Sequence, residues 1–166
     1  ALIAQAPMER ALLVAGICGL AVALCGLLSH GATYGTGYEA ARAAVEGQGQ
    51  SLFYAPLKFL ATLASTLSGI PGGLFAPSLS VGAGLGSLIA AALGIHAIGA
   101  IVLLGMCAYF AGVVQAPITA FVIIGEMSGT SGMVTPLMIS AVIAYGISRA
   151  IQRESLYHAL SRNFAA

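Results

Sequence analysis

The sequence predicts an all-α, polytopic membrane bundle in which some helices are broken or half-length. Three observations carry this. Of the 166 residues, 59% are hydrophobic and 7% charged, whereas a soluble domain carries about a quarter charged residues and could not cover its surface with so few. No sustained period-two alternation marks barrel strands. The apolar segments are uneven, and glycine and proline interrupt them where a helix could run on, although in lipid every freed backbone group needs a partner.

Taken in order, residues 10–28 give a first hydrophobic segment long enough to span, since about 20 residues suffice. Its glycines at 16, 19 and 26 favour close helix packing over lipid contact. Residues 29–51 are polar and glycine-rich and hold Glu39, Arg42 and Glu46, which predicts a loop or an interfacial helix. A second apolar helix covers 52–67. A third covers 74–93, with Gly82 and Gly86 as a small-xxx-small contact face. The fourth runs over 97–114. A short segment restarts at Pro117, a common first-turn residue, and stops at Gly129. Residues 133–151 span again, and the tail 154–166 is amphipathic. The whole chain, 1–166, forms one unit without a separate soluble domain. It begins at Ala1 without methionine or a leader, which predicts a piece of something longer.

Charge narrows the function. The net charge is +1, so no basic patch invites nucleic acid. Between Lys58 and Arg149 the only charged residue is Glu126. Lysine and arginine collect toward the C-terminus, which favours a cytoplasmic C-terminal end in a bacterial-type inner or plasma membrane. Cys18 and Cys25 lie seven apart, roughly 10 Å in helical rise, too far for a disulfide. All three cysteines, with Cys107, read as buried small apolar residues. His30, His96 and His158 show no ligand pattern, so no metal is expected. Glu126 sits near the end of its segment, either as an intramembrane functional group or as a solvated helix end. There is no aspartate, acid pair, HExxH or GxSxG, so an intramembrane enzyme is not expected.

The interruption that carries chemistry is "SGIPGGLFAP", residues 68–77. If a helix starts near Leu74, Pro77 falls in its first turn, where a missing N–H costs nothing. The amides of Gly73, Leu74 and Phe75 then lack intrahelical partners and carry the positive end of the helix dipole. Gly72 and Gly73 let a ligand approach the backbone. That is a backbone anion site, without a nearby cation that would slow release of the ion. The same punctuation also joins membrane helices with no ligand at all.

These residues resemble a known family. "GGLFAP" (72–77) is similar to the GxFxP signature of the CLC chloride channels and chloride/proton antiporters. "AYFAGVVQAPITAFVIIGEMSG" (108–129) resembles the family's stretch ending in Ala-Pro-Leu-Thr and Leu-Glu-Met-Thr, and "ESLYHALSRNF" (154–164) its terminal pore segment. The first helix and "SHGATYGTGYEAA" resemble the start of the family's second half. The resemblance implies one of two inverted repeats, the second, with the first half supplied by a longer parent chain. It places the central anion on the amides of Leu74 and Phe75, beside Gly73, and on the hydroxyl of Tyr157, which by residue type alone is an interfacial aromatic. The pore serine and the gating glutamate belong to first-half motifs, and Ser68 does not take the serine role. The implied function is transmembrane chloride transport, by conduction or chloride/proton exchange, with chloride as substrate and no cofactor. Implied partners are the bilayer and a second copy, the homodimer forming over 117–127 and 133–150. The alternative is a structural or assembly subunit without transport of its own.

Overall fold

The computed structural model describes residues 8–48, 50–68, 73–129 and 131–152. Over these residues the chain is helical and contains no strand. The elements are α1 (Met8–Leu28), α2 (Tyr38–Val45), α3 (Tyr54–Leu67), α4 (Phe75–Leu93), α5 (Ile98–Val114), α6 (Pro117–Ser128), a 3-10 turn (Ser131–Met133) and α7 (Val134–Ile151). Each stands within about two residues of an expected segment, and the polar 29–51 stretch supplies the short α2. That helix turns Ala41 and Ala44 inward and exposes Glu39 and Arg42. Arg42 Nε donates to Glu46 Oε1 at 2.9 Å, one turn on. Two described helices, α4 and α7, are long and apolar enough to cross a membrane.

The core is built around α4. Every residue from Ser78 to Gly84 is buried, and the helix packs against α2, α3 and most extensively α5. Two helices come this close only if side chains are absent from the seam. A Cβ on Gly82 would stand 2.7 Å from Met106 Cα, and one on Gly86 2.7 Å from Val102 Cα. From the other side, a Cβ on Gly105 would stand 2.7 Å from the carbonyl oxygen of Gly82. The expected small-xxx-small face is therefore real, and its counterpart on α5 is Gly105. The glycines of α1 do not behave alike. Gly26 packs under the Tyr34 ring, whereas no described atom comes within 4 Å of a Cβ at Gly16 or Gly19. Those two do not mediate close packing among the described residues.

α5 passes the core outward to α6 and α7. Val102, Met106, Cys107, Phe110 and Ala111 are buried with Ala120 and Ile124 of α6 and Leu137 and Ala141 of α7. Side-chain donors stitch α5 to α7 through backbone carbonyls. Cys107 Sγ reaches Leu137 O at 3.4 Å, Ser140 Oγ donates to Leu104 O at 3.1 Å, and Ser148 Oγ donates to Gly112 O at 2.6 Å. Such bonds act as polar glue where no aqueous hydrophobic effect draws helices together. Cys107 is buried as expected, but Cys18 and Cys25 are only half-buried, because among the described elements α1 packs chiefly on α3 and leaves much of its surface open. All three thiols are free.

Helix ends follow local chemistry. α4 stops at Gly94, whose φ of 63° takes the left-handed form, while Ile95 N bonds back to Ala90 O at 3.0 Å. α5 ends on Gln115, a non-glycine residue at φ 57°. Its side chain offsets that strain by donating to Ser148 Oγ of α7 at 3.3 Å and to Gln152 O, just past the end of α7, at 2.8 Å. Pro117 then opens α6. On α6 and α7 the residues Ile118, Val122, Ile139, Val142, Ile143 and Ile147 are exposed.

The α4–α5 seam makes a sharp prediction. Gly86→Ala pushes a methyl into backbone that cannot yield, and should cost about 1–3 kcal/mol. Gly16→Ala, with open space around it inside α1, should not destabilise and should gain up to about 1 kcal/mol. Thermal unfolding of the purified variants in detergent checks both.

Candidate functional site

The N-terminus of α4 is assembled from the bottom of the helix upward. Leu74 is the cap residue, at φ −85° and ψ −15°, and it makes no side-chain cap bond. Its carbonyl is fully used, accepting from Ser78 N at 3.1 Å and from Ser78 Oγ at 2.6 Å. The amides behave differently. The first intrahelical donor is Ser78, and Pro77 has no N–H to offer. Among the described residues, the amides of Leu74, Phe75 and Ala76 have no acceptor. No acidic residue lies in the first turn, so the positive end of the dipole is uncompensated there.

The tip is also accessible. Gly73 is exposed, Leu74 to Pro77 are half-buried, and burial becomes complete from Ser78 onward. No described atom lies within 4 Å of where a Cβ on Gly73 would stand. Rigidity comes from the Phe75 ring, which meets Phe110 of α5 edge-on at 4.7 Å between centroids and 73° between planes. Such a pair adds about 0.5–1.5 kcal/mol beyond its buried area. The ring thus points into the core while the amide of the same residue stays at the helix end.

Gly73, Leu74 and Phe75 therefore come together at one helix tip, as the sequence led us to expect. Tyr157 and His158 lie outside the described residues. The helix begins one residue later than expected, so Ala76 joins the donor set; a start at Phe75 rather than Leu74 was not legible from the residues alone. Glu126 is exposed near the end of α6, three residues before Gly129. His30 and His96 are exposed and far from this tip in sequence, and no group of metal-ligating side chains forms among the described residues.

A polar cluster behind α4 escaped the sequence reading. Tyr54 of α3 is buried and its hydroxyl shares a hydrogen bond with Ser80 of α4. One turn on, Lys58 is buried and its Nζ donates to Thr33 O at 2.9 Å and to Gly35 O at 2.8 Å. Gly37, at φ 76°, lies against Ser80, where a Cβ would strike the hydroxyl. The 4-residue spacing of Tyr54 and Lys58 on an apolar helix was the available signal.

The family model described as voltage gated chloride channel matches residues 2–149. The chain belongs to that family. Curated relatives agree: the voltage-gated ClC-type chloride channel ClcB of Escherichia coli strain SMS-3-5 is 34% identical over 84% of this chain, and the proteins of that name from strains UMN026 and E24377A are equally similar. The chain spans 35% of the length of these relatives. No solved structure matches. Membership in the voltage-gated chloride channel family accords with the all-α membrane fold described above.

The Phe75–Phe110 contact yields a test. Phe110→Ala opens a cavity behind the helix tip and should cost about 3–5 kcal/mol. Phe110→Leu, which keeps most of the volume, should cost under about 1.5 kcal/mol. Midpoints of thermal or denaturant unfolding give both values.

Proposed function

We propose that this chain is the second of two inverted repeats of a membrane domain that transports chloride or a similar monovalent anion. The anion is held by the free amides of Leu74 and Phe75, with Gly73 giving access and the hydroxyl of Tyr157 completing the shell. The observation that supports this most is the α4 tip: backbone donors without acceptors among the described residues, no carboxylate in the first turn, and an anchored helix behind them. Membership in the chloride channel family points the same way. Partial charges from amides and a phenol replace water around a chloride-sized ion without binding it too tightly to leave. No covalent step is involved, and the chain is not an enzyme in this reading.

The first half of the domain supplies the remaining pore elements, and two copies pair through the exposed apolar faces of α6 and α7. The protein sits in a bacterial-type inner membrane with its C-terminal end in the cytoplasm, near the arginines at 149 and 153.

Substituting the amide itself tests the site. Leu74→Pro removes one N–H at a position whose φ of −85° is close to what proline adopts. A hydrogen bond to a charged group contributes about 1.5–3 kcal/mol, so chloride affinity should fall roughly 10–100-fold with little loss of fold. Tyr157→Phe should weaken binding as well. Calorimetry on the protein holding both halves reads the affinities, and chloride efflux from proteoliposomes reads transport. Unchanged affinity in both variants contradicts the site. Efflux from the chain alone, compared with efflux after the first half is added, separates a transporting unit from an assembly subunit.

A further inference from the structure

Lys58 is the chain's single lysine, and it is 2% exposed. A buried ammonium is expensive unless something compensates it. Here two backbone carbonyls do so, those of Thr33 and Gly35. No carboxylate joins them: among the described residues the one ion pair is Arg42 with Glu46, on the exposed face of α2. Carbonyl dipoles solvate a charge without cancelling it, so the field of Lys58 extends into its surroundings. A clamp for a loop could have been made by a neutral donor at lower desolvation cost.

Its place in the fold shows what that field reaches. Tyr54, one turn earlier on α3, is bonded to Ser80, and Ser80 lies five residues into α4, about 7 Å of rise from Phe75. Lys58 therefore sits one turn from the Tyr54–Ser80 bond on a helix packed against α4, roughly 10–15 Å from the α4 tip when helix rise is combined with an interaxial spacing of about 8–10 Å.

We propose that Lys58 strengthens anion binding at the α4 tip from one layer back: its ammonium raises the potential at the α4 N-terminus without touching the ion. This rests on the anion reading of that tip. The arrangement gives the site a full positive charge at a distance, so the ion is attracted into the bilayer while its immediate contacts stay weak enough to release it. The sequence led us to expect a site without a cation nearby; the cation is present, one layer back.

The experiment is chloride calorimetry on the protein holding both halves, in wild type, Lys58→Arg, Lys58→Met and Lys58→Gln, with size-exclusion profiles and melting temperatures measured alongside. A unit charge at such a distance in a medium of effective dielectric about 20 predicts roughly a tenfold weaker chloride affinity in the neutral variants. Lys58→Arg, which keeps the charge, should stay within about twofold of wild type. Equal affinity in wild type and a folded Lys58→Gln overturns the proposal while leaving the amide site standing. Failure of both neutral variants to fold also overturns it, because the residue's role would then be the loop clamp. Absence of chloride binding in wild type removes the anion reading and this inference together.

Discussion

The contact between α4 and α5 at Gly82, Gly86 and Gly105 is the constraint on which the rest of the structure depends. Backbone meets backbone there at distances that leave no room for a methyl group. In a bilayer, apolar surface gains little by leaving lipid, so helices associate through close packing and polar bonds. The glycine seam supplies the first, and the donors from α7 to the carbonyls of α5 supply the second. Because α4 is fixed along its buried length, its N-terminal turn can remain uncapped. The first-turn amides of any helix lack intrahelical partners, and among the described residues those of Leu74, Phe75 and Ala76 meet no other acceptor.

That division of labour runs through Phe75. Its ring contributes to the core against Phe110, and its amide belongs to the open tip. Ser78 works the same way, closing the carbonyl side of the cap by two bonds to Leu74 O and leaving the donor side free. Anchoring and presentation thus come from the same residues, which is how an anion site can be made from backbone in the proposed function.

Much of the fold was legible because its signals are local. Glycine and proline punctuation set the limits of α3, α4 and α6, and the restart at Pro117 followed from its lack of an N–H. Gly82 and Gly86 could be recognised from their spacing, but their partner Gly105 could not, since spacing within one helix does not say which helix it meets. The same limit explains Gly16 and Gly19, which carry the pattern and meet nothing among the described residues. Cys18 and Cys25 were expected to be buried because their segment is apolar; half-burial reflects a helix with one described neighbouring element. At the candidate site, three of the four predicted residues fall at one tip, and Tyr157 lies outside the described residues. Lys58 was missed because its meaning depends on the carbonyls of Thr33 and Gly35, which the chain brings to it only after folding back through α2.

The central claim is that free amides at the start of α4 bind a halide. Anomalous diffraction from crystals of the complete protein soaked in bromide tests it most directly. The account predicts a bromide peak within hydrogen-bond reach of the Leu74 and Phe75 amides. A peak only elsewhere, or those amides bonded to protein carbonyls, would contradict it.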